Sequence, residues 1–408
     1  MHSEASPLDW IAAQQTRMTG TLVRWASVNT GTQNLAGLKA LAADVRGEFQ
    51  SALNPISEQI ETAGYDIVGN DGKTEHVPLG PVLRFRRNNP VADAVRVLLS
   101  IHLDTVFAAD HPFQKVLRVD DKTLNGPGVA DAKGGLVVML FALQAFERSP
   151  LAGKIAWEVL LNADEEIGSP GSAGVLTEAA GRHQIGLVFE PAFADGALVG
   201  ERKGSGNFTA VVRGRAAHAG RDFHHGRNAV HAAASLILAL DEMNSPSHPG
   251  LTVNVGRLDG GGPSNIVPDL AVVRFNVRLS PHDQPDRVMA DLRRAVEQTA
   301  RRDGITVELF GDFTAPARPM DLATTRLYQQ LADVGSTLGQ RITWHASGGV
   351  SDANKLAAAG LPVIDTLGPC GGNLHSDQEF VLADTLVKKA QLVAAFLMRL
   401  AEGAVELG

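Results

Sequence analysis

Cysteine occurs once in the 408 residues, as Cys370. No disulfide can therefore close within the chain, and an oxidising compartment offers the fold nothing. Long apolar runs are missing too, and none reaches the length of a membrane span. The opening MHSEASPLDW has no basic stretch followed by an apolar core, so the expectation is no signal peptide and a cytoplasmic location. Cationic excess is absent. A net charge of −8 argues against a general nucleic-acid or anionic-membrane surface, while a local basic pocket stays open. No G-x-S-x-G elbow occurs, which removes the ordinary α/β-hydrolase serine. Gly126-x-Gly128 is followed by Asp131 where a dinucleotide fingerprint needs glycine.

What is present is an ordinary globular composition, 44% hydrophobic and 20% charged, over a length that suggests about two domains. Ser6-Pro7 reads as an N-cap with proline at the first helical position, opening a helix towards Trp25; a second helix spans about 35–53. Strands then alternate with helices: strand 94–101, helix 135–147, strand 155–161 and strand 185–189. That alternation predicts an α/β domain with a mostly parallel sheet. From about Ser205 the rhythm becomes strand 208–213, helix 228–243, strand 251–258, strand 271–279, helix 285–302 and strand 305–310. The order βαββαβ is that of a ferredoxin-like unit. After Pro319 the α/β pattern resumes with helix 322–338, strand 341–345, helix 352–359, strand 362–367 and a helix from about Ala383. The expected layout is a discontinuous domain, 1–204 and 319–408, interrupted by a smaller unit at 205–318.

Five polar clusters end strands or occupy the loops after them. VLLSIHLDTVF (97–107) delivers His102 and Asp104; GPGVADAKGG (126–135) carries Asp131; NADEEIGS (162–169) carries Glu165 and Glu166; FEP carries Glu190; and NLHSDQEF (373–380) carries His375. Each has a plain structural explanation: a core histidine on a carboxylate, a turn aspartate, a solvated acidic face. Their joint occurrence is harder to dismiss, because ligands of open α/β sheets bind beyond the carboxyl ends of the strands. Glu165 and Glu166 directly follow an apolar strand, where two buried carboxylates repel unless a cation lies between them. Histidine with carboxylate is a ligand set for paired divalent metals and suits zinc.

Taken in order, H-x-D-T-V, G-x-G-x-x-D-x-K-G-G, D-E-E-I-G-S, F-E-P, H-A-G and H-S-D-x-E-F-V resemble the zinc metallopeptidase family of glutamate carboxypeptidase. That family also includes acetylornithine deacetylase, succinyl-diaminopimelate desuccinylase and the aminoacylases. The resemblance runs from about residue 97 to 381. It implies a zinc domain with an inserted lid or dimerisation domain, and two zinc ions per chain, with cobalt or manganese open. Asp131 would bridge the ions, with His102 and Glu190 on one and Glu166 and His375 on the other. Asp104 would fix the His102 tautomer, Glu165 would be the general base, and the Asp131–Ala132 peptide would be cis. His218 in RGRAAHAG would stabilise the oxyanion from the partner subunit, which implies a homodimer. Asn265, Arg278 and Arg318 would hold the substrate carboxylate, arginine being suited to it by its planar fork.

The stretches GPGVADAKGG and SGGVSDA are most similar to glutamate carboxypeptidase itself. Two features depart from that member: no lysine precedes Lys203 in the segment after Glu190, and a His224-His225 pair stands close to the expected lid hinge. The implied reaction is cleavage of the amide bond of an N-acyl amino acid or small peptide with a free carboxylate. An acetylornithine deacetylase-like or aminoacylase-like deacylase is the alternative. A non-catalytic, metal-dependent binding protein is the rival from another class. A cysteine hydrolase built on Cys370 and His375 leaves Asp131, Glu165, Glu166 and Glu190 without a role.

Overall fold

A computed structural model describes residues 6–246 and 248–406; the first five residues of MHSEASPLDW, and the ends of the 1–204 and 319–408 ranges, lie outside them. The chain is α/β. Six strands form one sheet in the order Ile56–Ile60, Val82–Arg86, Ile155–Asn162, Val95–His102, Ile185–Val188 and Val363–Ile364. The first two pairings are antiparallel and the last three parallel. Val95–His102 lies inside the sheet, with every residue from Val97 to His102 buried, as central parallel strands require.

Helix Lys133–Phe146 is buried along its whole length, between the sheet and an outer layer. In the same core lie residues of helices Pro7–Ala12, Gln15–Ala26, Leu35–Leu53, Leu322–Thr337 and Asp384–Ala401. Helices Ala173–Ala180 and Asp352–Ala358 cover the other face. The N-terminal helix is two helices rather than one. Ser6 caps the first. The break falls at Ala13–Gln14, between Trp10, which stacks on Phe141 beneath Arg148, and Gln15, which donates to the Ala383 carbonyl.

The second unit is a four-stranded antiparallel sheet in the order Thr252–Gly260, Leu270–Leu279, Gly204–Arg213, Thr306–Ala315. Helices Ala229–Asp241 and Pro285–Ala300 pack on one face around an apolar core of their own. A hairpin from the first ninety residues, Tyr65–Val68 with Thr74–Val77, reaches the opposite face. There Arg274 donates to Val68 O at 2.8 Å and Arg213 to Gly72 O at 2.7 Å. No pattern in the sequence foreshadows this contact.

Two late strands differ from expectation. The strand expected over 341–345 is Trp344–Ser347. The one expected over 362–367 is only Val363–Ile364, because Thr366 takes a left-handed φ of 60° and turns its hydroxyl to accept from Val199 N–H.

Candidate metal centre

Asp131 stands at the middle of the site. Its Oδ1 is 3.1 Å from His102 Nε2, and its Oδ2 is 3.2 Å from His375 Nε2. Glu190 Oε2 lies 3.7 Å from His102 Nε2, and Glu166 Oε2 lies 3.2 Å from His375 Nε2. Two triads result, His102–Asp131–Glu190 and Asp131–Glu166–His375, each with its donor atoms within 4.8 Å of one another. His102 ends its strand and Glu190 lies two residues past the end of the neighbouring parallel strand Ile185–Val188, so the sheet brings the two close. Asp131 enters from the loop before helix Lys133–Phe146. Gly135 lets that helix approach the strand end so closely that a Cβ would lie 1.8 Å from Phe189 O.

Other groups hold these residues in place. His102 Nδ1 lies 3.0 Å from Asp104 O and 3.3 Å from Asp104 Oδ1. Its N–H belongs on that nitrogen, and Nε2 is left as the donor atom facing Asp131. Asp104 is fully buried; its carboxylate accepts from the N–H groups of Glu165 and Glu166, both at 3.2 Å, and from Thr32 Oγ1 at 2.8 Å. One aspartate thus orients a histidine and the acidic turn together. The Asp131–Ala132 peptide is cis. Glu379 cradles the loop before it, accepting from the N–H groups of Gly128, Ala130 and Asp131 at 2.9–3.2 Å. Its partners are backbone groups some 250 residues away, so only its place in the H-S-D-x-E run offered a sequence signal. His375 has a left-handed φ of 61°, the kind of backbone strain that collects at functional sites.

The electrostatics ask for cations. Burial opposes ionisation of Asp131, yet hydrogen bonds from His102 and His375 hold its carboxyl below the usual range. Burial and the Asp131 charge push Glu166 up to about 7. Glu165 rises well above its ordinary value through burial, with the Glu190 charge adding to it and His102 opposing. Hydrogen bonds to Asp131 and Glu166 lift His375 to about 11. Burial works against a charged His102, but Glu190, Asp104 and Asp131 outweigh it. Protons thus supply the positive charge that packed carboxylates need. Two divalent ions would supply it instead, and the donor set of imidazole and carboxylate fits them.

The remaining expected site residues are spread out. His218 and Asn265 are exposed and adjoin each other, through the ladder of Ala217–His218 with Ile266–Val267 and the Ala219 N–H to Asn265 O bond. They follow the Arg213 end of its strand, about 30 Å from Gly204 at the strand rise per residue. Arg278 pairs with Ser205 at the opposite end, and its Nη1 is buried with no hydrogen-bond partner among the described residues. Arg318 is 3% exposed and turned into the protein, with Nη2 2.8 Å from Val199 O and 3.4 Å from Asp365. The structure does not bring it to the cluster.

Arg202, which the sequence did not single out, bonds Asp365 at 2.6 Å. Burial lowers the affinity of its guanidinium for the proton, and Asp365, Glu190 and Glu165 more than restore it, so its charge faces the centre. The His224-His225 pair is not at the hinge. The two residues sit on the exposed turn Phe223–His225, where His225 O accepts from Arg215. That turn is at the far end of the sheet from the chain crossings near 203 and 317. Cys370 is buried and donates its backbone N–H to Thr385.

The chain is similar to several known proteins. A family model of the peptidase dimerisation domain matches residues 200–304. Carboxypeptidase G2 of Pseudomonas sp. (strain RS-16) is 28% identical over 398 residues, covering 96% of this chain and 91% of the relative. Succinyl-diaminopimelate desuccinylase of Hahella chejuensis is 27% identical over 361 residues, covering 81% and 87%. An M20 family metallo-carboxypeptidase from Sulfolobus solfataricus shares the fold, with a TM-score of 0.73 at 16% identity over 93% of this chain and 98% of that one. Across nearly its whole length the chain is similar to M20 metallopeptidases, and its residues 200–304 match the peptidase dimerisation domain.

Proposed function

We propose that this protein is a dinuclear metal-dependent hydrolase that cleaves the amide bond of an N-acyl amino acid or small peptide bearing a free carboxylate. The observation that carries this reading is the sharing of Asp131 between two triads of donor atoms. His102 and Glu190 would hold one ion with Asp131, and Glu166 and His375 the other. Zinc suits the donors, and cobalt or manganese would be accepted by the same set. Such ions supply Lewis-acid polarisation of a carbonyl and a lowered pKa for water.

The chain's own groups do the rest. Glu165 is not needed as a ligand in either triad and is held at the centre by Asp104. It takes the proton of the attacking water and passes it to the departing amine nitrogen. Arg278, whose buried Nη1 has no partner among the described residues, grips the substrate carboxylate from the same chain. His218 Nδ1 accepts from the N–H groups of Gly220 and Arg221, which leaves Nε2–H as a donor. With Asn265 it lies too far along the inserted unit to serve its own chain, and the pair fits a homodimer in which each site is completed by the partner. Residues 205–318 then act as lid and dimerisation domain. A deacylase of simple N-acyl amino acids is the second reading, favoured by the absence of lysine between Glu190 and Lys203.

The test is free-amine release by the metal-loaded protein from N-acetyl and N-succinyl amino acids, pteroyl- and benzoyl-glutamates and dipeptides, with Glu165→Gln as the control. Release from one chemical class, lost in the control, supports the reading and selects the branch. Two bound metals with no turnover across the panel would favour a binding role.

A further inference from the structure

Two stretches of chain join the inserted unit to the six-stranded one, Arg202–Gly204 and Ala315–Arg318. They run side by side. The N–H of Arg202 donates to Arg318 O and that of Arg318 to Arg202 O, both at 2.9 Å. Gly204 is pressed so closely that a Cβ would lie 2.9 Å from both Ala315 O and Ala317 N.

One side chain spans the crossing. Asn354 Nδ2 donates to Lys203 O at 2.9 Å and to Pro316 O at 2.7 Å. Asn354 is 1% exposed, and its Oδ1 accepts from Ser351 N–H at 3.1 Å, closing the capping box of helix Asp352–Ala358. On the same turn, Asp352 faces the metal side. Its Oδ1 accepts from Ser169 Oγ at 2.5 Å and from Lys355 Nζ at 3.0 Å, and its Oδ2 from Asn162 Nδ2 at 2.7 Å. Asn162 and Ser169 bracket the turn that carries Glu165 and Glu166, and Ser169 holds a left-handed φ of 56°. The segment 351–355 therefore touches both chain crossings with one residue and both ends of the acidic turn with another.

We infer that Asn354 is a positioning residue: by clamping the two crossings it couples the orientation of the inserted unit to the placement of Glu165 through Asp352. The inference rests on Glu165 being the general base. It gives the SGGVSDA stretch a role that the metal centre leaves unassigned. It also explains why an amide sits where the helix cap alone needs only an acceptor. Both N–H donors of the carboxamide are spent on the neck, and its oxygen is spent on the cap.

Asn354→Asp separates these duties, because it keeps the acceptor for Ser351 N–H and removes both donors; Asn354→Ala removes everything. In the full-length, metal-loaded protein, amide hydrogen exchange and turnover are compared with the parent. The expected result for Asn354→Asp is faster exchange at 202–206 and 315–318 and also at 163–169, with metal content unchanged. Turnover number should fall by about tenfold to a hundredfold, as small misplacements of reacting groups do. A purely local role would speed exchange only around 351–358. Unchanged exchange at 163–169 overturns the coupling whether or not turnover falls, and so does wild-type turnover. If Asn354→Ala fails to fold, Asn354→Asp carries the test alone. A fully active Glu165→Gln would instead remove the base reading and leave the exchange result standing.

Discussion

The two units of the molecule differ in what stands beside their apolar cores. The inserted unit closes on an apolar core of Phe208, Val212, Leu236, Val273, Phe275 and Leu292, and its candidate functional residues His218 and Asn265 are exposed. The six-stranded unit has an apolar core as well, yet beside it stand His102, Asp104, Asp131, Glu190, Arg202, Asp352, Asp365 and Glu379, all buried. Burying ionised groups is expensive unless each is paired or bound to a cation. The first unit is therefore built for its own stability and for contact with something outside. The second accepts a concentration of charge that only a catalytic or binding task explains.

The contrast can be sharpened by removing charge from one half and exposed donors from the other. Glu165→Gln should have the largest effect on turnover, a loss of about a hundredfold to ten-thousandfold, the range for a general base, with two metals retained per chain by elemental analysis. His218→Ala, from the exposed half, should cost about a hundredfold to a thousandfold, as for an oxyanion donor. Mixing it with Glu165→Gln subunits should restore part of the activity through hybrid dimers. No recovery under demonstrated subunit exchange would place His218 outside the partner's site.

A smaller effect is expected from Lys389, whose buried Nζ has no hydrogen-bond partner among the described residues. Burial lowers it to about 8 from its model-compound value near 10.5, with Cys370 pulling slightly the other way. The unfolded chain then binds more protons between those values, so stability rises with pH through about 8 to 10.5. Below that window the full cost remains. Lys389→Met should raise stability by about 3 kcal/mol at pH 7 and by progressively less towards pH 10.5, read from denaturant midpoints at several pH values. A gain independent of pH would mean that packing, not charge, sets it. Arg274→Ala, which loosens the hairpin from the inserted sheet, should cost only about 1–2 kcal/mol in thermal or denaturant unfolding.

The same contrast decides what the sequence could reveal. His102, Glu165, Glu166 and Glu190 each follow an apolar run, and Asp131 and His375 sit in short motifs, so residues that gather at the centre were visible as interruptions of a hydrophobic pattern. The strand and helix order of the inserted unit was legible for the same reason: period-two and period-3.6 patterns alternate cleanly there. Glu379 and Asn354 were not legible as site-holding groups, because what they bind is backbone brought from distant segments, which no side-chain pattern records. Arg202 and Arg318 both lie outside the strands expected from the sequence, and only Arg318 was singled out there, by the family resemblance. Only the fold shows that Arg318 turns into a buried contact with Val199 O and Asp365 while the charge of Arg202 lies near Glu165 and Glu190. The hairpin at 65–77 was opaque because its partner is a sheet face more than 130 residues further along.

The central claim is that one carboxylate, Asp131, joins two metal sites. Its most direct test is the metal stoichiometry of the purified, metal-reconstituted protein beside Asp131→Ala, Glu190→Ala and His375→Ala. The account expects two ions per chain in the parent, one in each of Glu190→Ala and His375→Ala, and none held through dialysis in Asp131→Ala. A single ion in the parent, or two still held by Asp131→Ala, would contradict it.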